Sequence, residues 1–231
     1  MKKYLFLVML LPCWVFAQNR QIVEASSGDD LSGKVSTTMQ YIFPEFTIGD
    51  VYFVNAPKGT GMLNYNMLVG EMQFKEKDEV LGLADVKNVS VVNINDRRFY
   101  PFNSQGEFTE EIFSTDKFQL RVRRKGNVAP YAKKGAYGTS SSTSSITSYS
   151  SMSSGDRQYD LSVMSDIIIS LRSFYYLVDA KGKHTQIINV KAFTKLYPAH
   201  RAQIEEFAKE RKIRFDNEAE LITMLVYCSE L

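Results

Sequence analysis

The chain has 231 residues, 44% of them hydrophobic, with 28 Lys and Arg against 26 Asp and Glu and two cysteines. Loss of a leader carrying Lys2, Lys3 and Cys13 leaves 26 bases against 26 acids and Cys228 as the sole thiol. Net charge then argues for neither nucleic acid nor a membrane surface as partner, and an intramolecular disulfide is excluded. What remains is long and apolar enough to bury a core as one domain, or as two that pack closely.

The leader is residues 1–17. Met1-Lys2-Lys3 is basic, Tyr4 to Phe16 is apolar, and Val15-Phe16-Ala17 sets up peptidase cleavage before Gln18. The apolar run is shorter than the ~20 residues that span a bilayer, and Gln18-Asn19-Arg20 follow it, so no transmembrane segment is expected after cleavage. Cys13, between Pro12 and Trp14, sits inside the apolar run rather than at a lipidation position. Export is expected, to the periplasm or in association with the outer membrane.

Residues 18–40 mix Gly28, Asp29, Asp30 and Gly33 with few apolar anchors and read as an extended or mobile lead. Residues 41–134 change to short runs rich in Val, Ile, Phe and Tyr, punctuated by turn formers such as Ala56-Pro57-Lys58-Gly59, which is the pattern of an antiparallel β meander. Phe118, Leu120 and Val122 alternate with Gln119, Arg121 and Arg123, giving one apolar and one solvated face. From Leu63 the parity holds to Val69 and then shifts to Met72 and Phe74, which predicts a bulge or strand break at Gly70.

Residues 135–158 form a Ser-rich tract that reads as a long loop. In residues 159–231, Asp166 to Ile169 and Phe174 to Val178 read as buried strands, with a turn at Asp179 to Gly182 before His184. The period then becomes helical: Phe193, Leu196 and Tyr197, then Ile204, Phe207 and Ala208, divided by Pro198. Asp216 is placed to cap a last helix with Leu221, Ile222, Leu225 and Cys228 on its inner face. The fold class expected is α+β: an antiparallel, meander-rich β portion with a smaller C-terminal part ending in two or three helices.

Catalytic constellations are not evident. His184 and His200 lack metal-pair spacing, no GxSxG or SxxK motif activates a serine, Cys228 has no basic neighbour within a helical turn, and no cofactor motif occurs. No catalytic, cofactor or metal residue is therefore assigned. Glu110-Glu111 and Glu205-Glu206 are adjacent in sequence, point different ways and are expected to be exposed.

One charge distribution departs from even mixing: Lys117, Arg121, Arg123, Arg124, Lys125, Lys133 and Lys134 form a basic band. Arg121, Arg123, Arg124 and Lys125 are candidate contacts for an anion or a partner. The competing reading is a solvated strand face answered by acids such as Glu107, Glu110 and Glu111.

Tyr41-Ile42-Phe43-Pro44-Glu45-Phe46 leading to Gly49-Asp50-Val51, and Leu63-Asn64-Tyr65-Asn66 leading to Gly70-Glu71-Met72-Gln73-Phe74, together with the helical ending, resemble uncharacterised exported proteins of the Bacteroidota. The resemblance implies a place in the cell envelope and carries no catalytic residue. The function expected is non-enzymatic binding of an envelope protein or acidic polysaccharide. The alternatives are a hydrolase whose carboxylates meet only in the fold and a structural subunit of an outer-membrane assembly. Intact-mass measurement of the exported protein is expected to give a chain beginning at Gln18; a lipid-modified Cys13 or a retained leader would be the contrary result.

Overall fold

The computed structural model describes residues 20–25, 34–130 and 165–231. Residues 1–17, expected to be a leader, the Ser-rich tract, Lys133 and Lys134 lie outside the described residues. The N-terminal lead supplies strand β1 (Arg20–Ala25) and a single helical turn, α1 (Thr37–Gln40). Then follow β2 (Thr47–Phe53), β3 (Gly59–Asn66), β4 (Glu71–Glu76), β5 (Glu79–Gly82), β6 (Val89–Ile94), β7 (Arg97–Pro101), β8 (Phe108–Ser114) and β9 (Phe118–Pro130). The C-terminal part holds β10 (Ser165–Asp179), β11 (His184–Gln186), α2 (Lys191–Leu196), α3 (Arg201–Glu210) and α4 (Glu218–Ser229).

The strands form one sheet in the order β1-β10-β9-β8-β7-β6-β2-β3-β4-β5, with β11 beside β10, and every pairing is antiparallel. Two meanders, β2 to β5 and β6 to β10, are thus joined where β2 pairs with β6. The sheet-dominated α+β architecture agrees with the sequence pattern. The two apolar runs of residues 166–178 are one continuous strand, β10, paired with β9 from Asp179↔Phe118 to Ile167↔Pro130.

The parity shift at Gly70 is a hairpin turn between β3 and β4. Gly70 has φ +77°, a conformation that costs glycine little, and Asn66 Oδ1 accepts a hydrogen bond from the Leu68 amide. This turn reaches back across the sheet: the Phe108 amide donates to the Gly70 carbonyl at 2.7 Å and the Gly126 amide to the Leu68 carbonyl at 2.8 Å. The first meander is thereby rolled over the second. Its interior is filled by Tyr65, Phe99, Phe108, Ile94, Met72 and their neighbours, and the Tyr65 hydroxyl lies 3.1 Å and 3.3 Å from the Phe108 and Arg124 carbonyls.

A second core lies where the helices cover one face of β9 and β10. Phe118, Leu120, Val122, Tyr175 and Leu177 meet Phe193, Ile204, Leu221, Met224, Leu225 and Cys228. Helix α4 is capped by Asn217, not Asp216. Asn217 has extended backbone angles and its Oδ1 accepts from the Glu220 amide at 3.1 Å, the geometry an N-cap requires. A third, smaller core joins Val23 of β1, Met39 of α1, Leu68 and Ile167 and Ile169 of β10.

Two outcomes follow from this packing. A Cβ at Gly126 would lie 2.9 Å from the Leu68 carbonyl oxygen, so Gly126→Ala is expected to cost about 1–3 kcal/mol in urea denaturation by forcing the roll apart. Cys228 is fully buried and burial pushes its thiol up to about 11, so a thiol reagent is expected to label it only in denaturant; fast native labelling would contradict this placement.

Candidate functional site on the open face of the sheet

Strand parity decides which side chains share a face. With the helices on the face of Leu120 and Val122, the opposite face of β9 carries Gln119, Arg121, Arg123 and Lys125. Register sets these beside β10: Arg121 opposite Tyr176, Arg123 opposite Phe174 and Lys125 opposite Arg172. His184 of β11 faces Val178. From the other side Tyr100 of β7, Phe102 just after it, and Glu107 and Glu111 complete this open face.

The arginines lie against rings. The Arg121 guanidinium carbon is 3.7 Å from the Tyr100 ring centroid, and its Nε and Nη2 donate to Gln119 Oε1. Arg123 lies 4.9 Å from the Phe102 ring and 5.1 Å from that of Phe174, so it touches two aromatic side chains. Phe102 also packs on Tyr176 at 5.0 Å and His184 at 5.2 Å. Burial, seconded by the Arg121 charge, lowers the His184 pKa and favours its neutral form.

The acids answer much of the band. Glu107, just before β8, takes Arg123 at 2.8 Å, Lys125 at 2.7 Å and Asn103 Nδ2 at 2.6 Å. Burial acts to raise the Glu107 carboxyl, but the Lys125 hydrogen bond and the Arg123 and Lys125 charges outweigh it and hold the group below its ordinary range. Glu110 is only 4% exposed, not on the surface as its sequence setting suggests, because it sits on the helix-covered side between Arg97, at 3.2 Å, and Arg124. Arg124 also reaches Glu218 of α4 at 3.5 Å, tying the helical part to the sheet.

The structure thus places Arg121, Arg123 and Lys125 together on the open face and Arg124 on the other side. The face expected to be solvated is largely covered: Arg121 is 8% exposed because it lies on Tyr100 and bonds Gln119, whereas the Lys125 side chain is 48% exposed and Arg172 opposite it is exposed. Arg172 and Phe102 escaped the sequence reading, and His184 was weighed only as a metal ligand, because only strand register brings them to the band. Their signal lies in pairing, which a single sequence does not display.

Among the described residues, three buried side-chain polar atoms have no hydrogen-bond partner, and two of them, Arg123 Nε and His184 Nε2, belong to residues that pack on Phe102. No group of His, Cys, Asp and Glu among the described residues could hold a metal ion, and no described helix is long and apolar enough to cross a membrane. No family model, curated protein or solved structure matches the chain.

The Glu107 cluster predicts an acid-sensitive fold. A carboxyl held low in the folded state contributes stability above its unfolded pKa and loses it as pH falls through the lower folded value. Glu107→Gln is expected to cost about 2 kcal/mol near neutral pH and to flatten the acid limb of the stability profile in urea titrations. A variant of unchanged stability at neutral pH would show that the cluster contributes little.

Proposed function

We propose that this chain is an exported envelope protein that acts by binding, and that its open face receives an anionic envelope component, an acidic polysaccharide or an acidic protein. The observation that carries this reading is the layer of arginines laid on aromatic rings, Arg121 on Tyr100 and Arg123 between Phe102 and Phe174. Such surfaces combine guanidinium donors, which match carboxylate geometry, with rings that give flat apolar contact. The leader and the resemblance to exported Bacteroidota proteins support an envelope location.

The hydrolase reading fits this geometry less well. Glu107 and Glu110 do approach the band, but each is clasped by two cations, and Glu107, whose carboxyl is held low, is a poor proton donor near neutral pH. A role as subunit of an outer-membrane assembly has one specific support. Ile48, 69% exposed, and Met62, 40% exposed, face each other across β2 and β3 on the outer sheet surface.

The test uses the exposed cations, since Arg121 and Arg123 also hold the fold together. Lys125→Gln with Arg172→Gln is expected to weaken binding of the mature protein to an acidic polysaccharide by about tenfold at low salt. The unaltered protein is expected to weaken as salt rises, because exposed charges are screened over about 10 Å at 0.1 M. Equal binding by both forms, or none by either, would remove the face from consideration.

A further inference from the structure

Within the anion-binding face, and resting on that reading, we propose that the ring of Phe102 covers a carboxylate subsite built from Arg123 and His184, and that this subsite takes a uronic-acid unit of an acidic polysaccharide. Phe102 is common to the whole cluster, with Arg123 at 4.9 Å, the Tyr176 ring at 5.0 Å and the His184 ring at 5.2 Å. Arg123 spends Nη1 on Glu107 at 2.8 Å, while its buried Nε has no acceptor. His184 Nε2, from a different strand, is likewise buried and unpartnered.

Orphaned buried nitrogens are rare because each forfeits its bond to water. Two of them on residues packed about one phenylalanine mark a place where an acceptor belongs, with His184 in the tautomer that carries its proton on Nε2. The Nε edge of a guanidinium offers two parallel N–H groups, which match the two oxygens of a carboxylate. Phe174 and Tyr176 supply apolar ring surface on which the flat side of a pyranose can rest. The nearby Glu107 carboxylate repels a phosphate dianion more than a single carboxylate charge, which selects the uronate.

The cover is able to move without breaking a strand. Phe102 begins the turn from 102 to 107, which is organised locally: Asn103 Oδ1 accepts from the Gln105 and Glu107 amides, and Gly106 has φ +92°. Rotation of the Phe102 side chain would withdraw the ring from Arg123 and His184 and leave these bonds in place. A site that is covered most of the time binds more weakly by the fraction of time it is open.

Calorimetric titration of the mature protein with an oligogalacturonate, and with a neutral oligoglucan of equal length, tests this. Phe102→Ala is expected to bind the uronate about tenfold more tightly than the unaltered protein and to leave the neutral oligomer unbound. Adding Arg123→Lys, which keeps a charge opposite Glu107 but removes the fork, or His184→Ala, is expected to cancel that gain, with thermal melting to confirm folded protein. No gain in Phe102→Ala, or a gain that survives both second substitutions, overturns the subsite. If those variants change nothing while Lys125→Gln with Arg172→Gln still weakens uronate binding, the subsite falls and the face stands. If no form binds the uronate, a phosphate-rich lipopolysaccharide or an acidic protein, both fall.

Discussion

The β9–β10 ladder is the constraint on which the molecule depends. Its residues pair without interruption from Phe118↔Asp179 to Pro130↔Ile167, and each end of this wall serves a different core. Leu120, Val122, Tyr175 and Leu177 receive the helices, whereas Ile167 and Ile169 receive β1 and α1. Between them Gly126 admits the β3–β4 turn so closely that a side chain there would meet backbone. One strand pair therefore fixes the helices, the N-terminal strand and the rolled first meander relative to one another, and its remaining face carries the cluster of arginines and aromatic rings.

Elements with strong local patterns were legible from the sequence. The apolar half of the alternation around Leu120, the turn at Gly182 and the division of the helices at Pro198 each follow from short-range chemistry, and each is present in the fold. What was hidden depended on partners distant in sequence. β1 has little apolar pattern of its own and exists because Ile167 to Ser170 offer it a paired edge. The break at Gly70 was visible, but its consequence, a turn that docks on Gly126, required the sheet to curl. Asn217 displaced Asp216 as the cap because one residue of backbone geometry decides which side chain reaches the Glu220 amide.

The basic band shows the same division. Its residues were readable, but their fates were not, since parity sends Arg124 inward to Glu110 while Arg121, Arg123 and Lys125 turn to the open face. Burial of Glu110 is tolerable because two arginines meet it, one from β7 and one from β9. A charge-rich stretch can therefore supply both an internal clamp and a surface, and nothing in composition separates the two.

Among the described residues β5 is the outermost strand at one side of the sheet, and its charges have a consequence of their own. A sheet with an unpaired margin offers backbone donors and acceptors to any other copy it meets. Here that margin is only Glu79–Gly82, and its hairpin sets Glu76 directly opposite Glu79, two like charges in register, with Asp78 between them in sequence. Like charges so placed weaken the hairpin slightly and disfavour pairing with an identical strand. A copy approaching this margin meets the same three acids, with Lys77 among them, on a strand of only four residues, and both the charge and the shortness disfavour joining of sheets end to end.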